Sequence, residues 1–173
     1  MKALSLWQPW ASLIAIGVKP EETRSWPAPK WLVGQRFAIH AAKKPLQQTL
    51  AEAGVSQAVM VRMVEALHAA GVKPLNLPFG KVVCTAVLKP SVRVARFFPG
   101  DFNGGSLRHP HAITECGKRI EANVFGDFSP GRWIWPLIDV EQVEPFDAVG
   151  RQGIFELDGP AASRTAPLFG GAS

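Results

Sequence analysis

Residues 1–26 read MKALSLWQPWASLIAIGVKPEETRSW and carry the clearest local pattern in the chain. The first six residues alternate weakly between apolar and polar side chains, which predicts a strand. Pro9 suits the first turn of a helix and Gly17 suits the left-handed position after its end, so we predict a short helix over residues 9–16. Alternation returns over residues 22–26, just before two prolines, and predicts a second strand.

Further helices and strands are predicted along the rest of the chain. Residues 57–70 place Met60, Met63, Val64 and Leu67 at helical spacing, and we expect this apolar stripe to pack in the core. The other predicted elements are a helix over residues 45–53 and strands over residues 36–41, 80–95, 132–143 and 153–157.

A length of 173 residues suggests one domain. The order of elements predicts an α+β domain built on a mostly antiparallel sheet or a small barrel. We expect this domain to span residues 1–158, with a helical insertion at about residues 45–75. Dense Gly, Pro and Asn predict a long loop at about residues 96–131. Residues 159–173 are predicted to be a flexible tail.

Composition favours a folded protein in a reducing compartment. Apolar residues make up 47% of the chain and charged residues 19%, so a packed core is expected. Cys84 and Cys116 stand far apart, which argues against a disulfide scaffold or a paired-cysteine zinc site. The apolar run at residues 4–18 is interrupted by Gln8 and Pro9, and it is unlike a secretory signal. We predict a cytoplasmic protein with no membrane association, no metal and no other cofactor.

Positive charge is concentrated in the first quarter of the chain. The net charge is +5, and residues 139–158 hold six acidic side chains against one basic one. A clustered excess of Lys and Arg is typical of surfaces that bind phosphate backbones, whereas a merely solvated face is the alternative. Residues 1–44 contain only two acidic side chains but seven basic ones: Lys2, Lys19, Arg24, Lys30, Arg36, Lys43 and Lys44.

Three charges of mixed sign follow the first predicted helix. If that helix ends at Gly17, Lys19 lies just beyond its C-terminus, where the last carbonyl groups favour a cation. Strand alternation puts Glu22 and Arg24 side by side on one face, where each would keep the other charged and oriented. A plain surface ion pair is the alternative interpretation.

Three tryptophans flank this charged stretch. Trp7, Trp10 and Trp26 have rings on which a nucleic-acid base could stack, and core packing is the alternative for each of them. The guanidinium of Arg24 suits bidentate contact with a phosphate or with the edge of a base.

The spacing of Gly17, Lys19, Glu22 and Arg24, G-x-K-x-x-E-x-R, resembles the signature of the ASCH domain family, named from activating signal cointegrator homology. The similarity spans about residues 1–157. Three further segments are similar to its bacterial and phage-type members: LSLWQPWA at residues 4–11, FAIHAAK at residues 37–43, and EANVFGDFSPGR at residues 121–132, which Trp133 and Trp135 follow.

This resemblance implies a PUA-like β-barrel with short helices around it, and a cleft beside the loop that holds the signature. It implies RNA as the expected ligand, or else another single-stranded nucleic acid or a modified nucleoside, and no obligate protein partner is predicted. A protein-interaction domain with a vestigial pocket is a further alternative. The candidate ligand-binding residues are Lys19, Glu22, Arg24, Trp7, Trp10, Trp26, Lys43 and Arg132.

The resemblance also implies an enzymatic alternative. Some family members are amidohydrolases that remove the acetyl group from N-acetylated cytidine, and at least one is a ribonuclease. In the amidohydrolase pattern a lysine acts with a threonine three positions later and a distant glutamate; Lys19 matches the lysine, but Glu22 stands where the threonine would be. Either Glu121 or Asp127 could supply an acid or base beside Arg132. Because carboxylates flank Lys19, we expect it to be charged and to bind a phosphate or carbonyl oxygen.

Overall fold

The computed structural model of the protein describes residues 1–103 and 106–157, so the predicted tail at residues 159–173 lies outside the described residues. The helices are α1 (Trp10–Ala15), α2 (Leu46–Glu52) and α3 (Gln57–Ala69), with short 3-10 turns at Lys30–Leu32 and Pro74–Asn76. The strands are β1 (Lys2–Leu6), β2 (Glu21–Arg24), β3 (Arg36–Ala41), β4 (Lys81–Leu88), β5 (Val92–Phe98), β6 (Asp101–Asn103), β7 (Ser106–Arg108), β8 (His111–Thr114), β9 (Arg119–Glu121), β10 (Trp133–Asp147) and β11 (Ile154–Glu156).

In the part of the chain that the structure describes, nine strands form one sheet. Their order is β11-β1-β3-β4-β10-β5-β8-β9, and β2 pairs with β10 beside this path. The pairings are antiparallel, except that β1 and β3 run parallel. The predicted α+β class is therefore confirmed. Because no pairing among these strands joins β11 to β9, the sheet is not closed and the predicted barrel is not confirmed.

The long strand β10 holds the sheet together. Its first residues pair with β2 on one side and with β5 on the other, and its later residues pair with β4. A bulge between Ile138 and Glu141 includes Asp139, whose φ is 48°. A bulge bends a strand and increases its twist, which lets one strand change neighbours along its length. As a result β2 is fixed to the first quarter of β10, with Glu22 opposite Trp135 and Arg24 opposite Trp133.

Helix α1 packs on the sheet, and α3 packs on α1. The main core lies between the sheet and α1 and includes the fully buried Phe37 and Trp135. A second apolar cluster joins α1 to α3 through Leu13, Met63 and Leu67. The predicted stripe on α3 is thus only half buried, since Met60 and Val64 are exposed.

The structure differs from the sequence prediction between residues 80 and 131. The strand predicted over residues 80–95 is two strands, separated around Pro90, whose missing N–H cannot continue a ladder. The long loop predicted over residues 96–131 instead carries the end of β5 and the short strands β6 to β9. Strands of three or four residues are too short to give a readable alternation, and the glycines and prolines mark the turns between them.

None of the helices found in the described residues is both long enough and apolar enough to cross a lipid bilayer.

Candidate functional site

The segment after α1 turns into the protein rather than toward solvent. Gly17 takes a φ of 78° directly after the helix, a conformation that favours glycine. The amides of Val18 and Lys19 then donate to the carbonyl of Leu13, at 3.1 and 3.2 Å. This reversal leaves the Lys19 side chain with 1% of its surface exposed. The end of the helix and the position of Lys19 beyond it agree with the sequence prediction.

The three charged side chains of the signature form one cluster. Lys19 Nζ lies 2.8 Å from Glu22 Oε2 and also donates to the carbonyl of Glu21. Glu22 Oε1 lies 3.3 Å from Arg24 Nε, and Arg24 Nη2 donates to the carbonyl of Ser5 at 3.3 Å. The Glu22 carboxylate therefore bridges two cations, and the pairing of Glu22 with Arg24 follows the predicted alternation.

Burial decreases along this cluster from Lys19 to Arg24. The Glu22 side chain is 12% exposed and the Arg24 side chain 26%. A buried ammonium without a partner would cost several kcal/mol, so the Glu22 carboxylate is what makes burial of Lys19 tolerable. An ammonium carries three N–H groups, and the acceptors found in the described residues take two of them.

A separate ion pair, outside this cluster, lies in the segment before β10 and is tied to β2. Arg132 Nε lies 3.1 Å from Asp127 Oδ2, and Arg132 Nη2 donates to the carbonyl of Thr23 at 3.2 Å. The Asp127 amide donates to Thr23 Oγ1 at 3.0 Å. Partial burial opposes ionisation of Asp127, but hydrogen bonds from Ser129 and the charge of Arg132 outweigh it and lower the pKa of this carboxyl.

The charged cluster and the Asp127–Arg132 ion pair line one cavity of about 620 Å³. Its polar wall holds Lys19, Glu22, Thr23, Arg24, Asp127 and Arg132. The remaining wall is largely apolar and combines Trp7, Trp10, Trp26 and Phe125 with the turn between α2 and α3 and the first half of α3. Concave sites with an apolar lining and a few convergent polar groups are the usual form of small-ligand sites.

The three predicted tryptophans all line this cavity, but in different ways. Trp10 donates from its indole nitrogen to the carbonyl of Phe125 at 2.7 Å and packs with the helices. Trp26 packs edge-on against Trp135, with ring centroids 4.5 Å apart. Trp7 is 40% exposed. The ammonium of Lys44 lies 3.9 Å from the centre of the Trp7 ring and covers one of its faces.

Two predicted site residues do not line the cavity. Lys43 is exposed, and its side chain packs against the backbone of Gly80. Glu121 is exposed on β9, opposite His111. Of the two carboxylates considered beside Arg132, only Asp127 lies next to it.

One buried carboxyl behind the cavity was not among the predicted site residues. Glu21 is 7% exposed and accepts a hydrogen bond from the side-chain amide of Asn123, whose Oδ1 accepts from the Phe125 amide at 2.8 Å. Burial raises the pKa of Glu21 to about 7; the charge of Lys19 opposes this shift and that of Glu22 adds to it. The only sequence signal was alternation, which puts Glu21 and Glu22 on opposite faces of β2.

The cavity also includes contributions that no local pattern indicated. They are the hydroxyl-bearing Thr23, the ring of Phe125 and the turn between α2 and α3.

No protein-family model matches the chain, and the comparison with curated proteins likewise gave no match.

Proposed function

We propose that the protein is an ASCH-type domain whose cavity binds a single base of RNA or a modified nucleoside. The observation that carries this proposal is the cluster of Lys19, Glu22 and Arg24 in the wall of a cavity that aromatic rings also line. The edge of a base presents both donors and acceptors. A carboxylate between two cations offers complementary acceptors and donors within a few ångströms.

Unpaired donors in the same wall support an acceptor-rich ligand. Arg24 Nε and Arg132 Nε are buried and have no hydrogen-bond partner in the described chain, although each lies within ion-pair distance of a carboxylate. A buried donor without an acceptor is costly, and a bound oxygen or ring nitrogen would relieve that cost after a small movement.

Charge and volume together favour one nucleotide over a long polyanion in the cavity. Two cations and one anion in the cluster leave a formal charge of +1, and Arg132 is balanced by Asp127. A volume of about 620 Å³ lies in the range of sites for small ligands. The mostly antiparallel sheet supports the PUA-like scaffold that this proposal includes. The wide separation of Cys84 and Cys116 supports a reducing, cytoplasmic location.

Binding measurements test the proposal directly. We expect short unstructured RNA, or a nucleoside, to bind with an affinity that falls at least tenfold in Arg24→Lys, because lysine keeps the charge but loses the planar pair of donors. Fluorescence anisotropy measures the RNA and calorimetry the nucleoside. Arg62→Lys on the exposed face of α3 is the matched control. Equal affinity of both variants would contradict the proposal.

Hydrolysis of an acylated nucleoside or of RNA is a second candidate. One observation favours it: Lys19, Glu22 and Thr23 all line the same cavity. A lysine, a carboxylate and a threonine are therefore present there, although Thr23 is one position later than the family pattern and its hydroxyl accepts from the Asp127 amide. Incubation with N-acetylated cytidine and with unstructured RNA tests this candidate, with Thr23→Val as the control. Absence of product from both substrates removes it.

A further inference from the structure

The layer formed by β5, β8 and β9 has one face packed on the core and one face in solvent. Ala112 and Ile120 belong to the apolar cluster around Phe128, and the ring of Phe97 stacks on that of Phe128 with centroids 6.4 Å apart. Because side chains alternate along a strand, the neighbours of these residues project from the opposite face.

An aromatic row crosses this outer face. Phe98 lies directly opposite His111, and His111 lies opposite Glu121 on the next strand. The rings of Phe98 and His111 stack with centroids 4.8 Å apart and planes 12° from parallel. Phe98 remains 40% exposed, so the stacked rings of Phe98 and His111 form part of the protein surface rather than of the core.

A basic row runs beside the aromatic row. Arg96 lies opposite Ile113, and Ile113 lies opposite Arg119, so two exposed arginines flank one apolar side chain. With strands about 4.8 Å apart, the two arginine backbones are about 10 Å apart, and each row is about 7 Å from the other. Neither arginine has a carboxylate partner within the described ranges, whereas Arg93 on the same strand is paired with Glu115 at 2.9 Å.

We propose that this outer face, which we call the β5–β8–β9 face, is a second binding surface for single-stranded nucleic acid. Bases stack on the Phe98–His111 pair, and Arg96 and Arg119 bind phosphates. Single strands are commonly bound by cationic sheet surfaces that also present aromatic rings, since every base has a flat face and every linkage a negative charge.

The chemistry of the face favours nucleic acid over an acidic protein segment. Arginine pairs would suit either partner, but a stacked, partly exposed ring pair within one sheet row suits a planar ligand. Glu121 is the one carboxylate in these two rows; it sits at the end of the aromatic row, two positions from Arg119 on β9 and two strands from Arg96, and it forms no ion pair with either arginine within the described ranges. None of the residues in these rows lines the cavity, so the inference does not depend on the cavity's ligand.

A labelled single-stranded RNA of about twelve nucleotides tests the inference in the full chain. We expect Arg96→Gln/Arg119→Gln to weaken binding at low salt by about tenfold and to reduce the slope of log affinity against log salt by about 1.4, which is the value for two phosphate contacts on a single strand. Phe98→Ala is expected to weaken binding at least about fivefold through lost stacking. Arg62→Gln and Leu75→Ala are matched controls, because both residues are exposed elsewhere on the protein.

The possible failures are distinguishable. If the double variant and Phe98→Ala bind the oligomer as the unchanged protein does, the inference is wrong even if a nucleoside still binds the cavity. If the oligomer depends on these residues but no nucleoside binds, the inference stands and the cavity proposal is wrong. Equal binding of polyglutamate to the same face, lost in the same variants, overturns the nucleic-acid assignment in favour of an acidic protein partner.

Discussion

The cavity and the β5–β8–β9 face use cations in opposite ways. In the cavity wall Lys19, Arg24 and Arg132 each lie beside a carboxylate and are largely buried. On the β5–β8–β9 face Arg96 and Arg119 are exposed, with no carboxylate partner in the described residues. Burial of a charge requires compensation, so the cavity offers fixed hydrogen-bond geometry and little net field. The exposed arginines offer charge with little fixed geometry.

The largest expected difference between the two regions concerns stability. Lys19→Met leaves the largely buried Glu22 carboxylate facing only Arg24, and we expect the free energy of unfolding to fall by about 3–5 kcal/mol. Arg96→Gln should change it by less than about 0.5 kcal/mol, as is usual for exposed positions. Urea denaturation at pH 7 measures both. A loss below about 1 kcal/mol for Lys19→Met would mean that the cluster is effectively solvated.

The dependence of stability on pH gives a second contrast, because the buried Glu21 carboxyl should make the free energy of unfolding depend on pH. The folded pKa of about 7 lies above the unfolded value of 4.5, so the folded state binds this proton more tightly, and stability is lost as pH rises through that interval. Glu21→Gln removes the penalty and is expected to raise the free energy of unfolding at pH 8 by up to about 3 kcal/mol, with little effect near pH 4.5.

To test this, the free energy of unfolding of Glu21→Gln is measured at each pH and compared with that of the unchanged protein at the same pH. His40 acts in the other direction, because burial lowers its pKa and its contribution is lost as pH falls below about 6.5. Taking the difference at each pH cancels that contribution. Glu65→Gln on α3 is the exposed control, and a pH-independent effect of Glu21→Gln would refute the assignment.

Stacking at the cavity rim should have a smaller effect. Trp7→Leu is expected to lower nucleoside affinity by about 1–3 kcal/mol if the uncovered face of the ring holds a base. Trp31→Leu is a close control, since Trp31 is 58% exposed, also has a lysine ammonium over its ring, and lies outside the cavity lining. Calorimetric titration distinguishes the two. A similar loss in both variants would show a general rather than a local effect.

Salt dependence gives the smallest and most direct contrast. Because a nucleoside is uncharged and the cavity cations lie beside carboxylates, nucleoside affinity should change by less than about twofold between 50 and 200 mM salt. Binding of the twelve-nucleotide strand should fall roughly sevenfold more than that, through two phosphate contacts on the exposed face. Anisotropy titrations at several salt concentrations measure the slope of log affinity against log salt for each ligand. Identical slopes would show that the cavity and the β5–β8–β9 face do not differ in how their charges act.

The sequence predicted best what depends on neighbours along the chain. The strand at residues 36–41 has its predicted bounds, and α1 ends where Gly17 indicates. Alternation was enough to predict the pairing of Glu22 with Arg24, and the helix end was enough to place Lys19 just beyond it, whereas neither pattern predicts the inward turn that brings Lys19 against Glu22. These are short-range features, and local backbone geometry fixes them.

Long-range features were beyond the sequence pattern. The contacts of Thr23 with Asp127 and Arg132 join positions more than a hundred residues apart, and no local sequence pattern indicates them. The strands β6 to β9 are stabilised by pairing with one another or with β5. The glycines and prolines of the turns between them interrupt the alternation of apolar and polar residues that would have predicted strands. The prediction that Glu121 serves the site rested on nearness in sequence, and β9 carries it away from the cavity.

The four residues of β2 carry two adjacent glutamates that face different surroundings. Glu22 reaches the cavity cations, while Glu21 holds the segment that positions Phe125 and, through it, the indole of Trp10. A one-residue insertion or deletion at the start of this strand would exchange the two faces for every residue that follows it. The polar and the aromatic walls would then be lost together, whereas a substitution at one position alters only the contacts of that side chain.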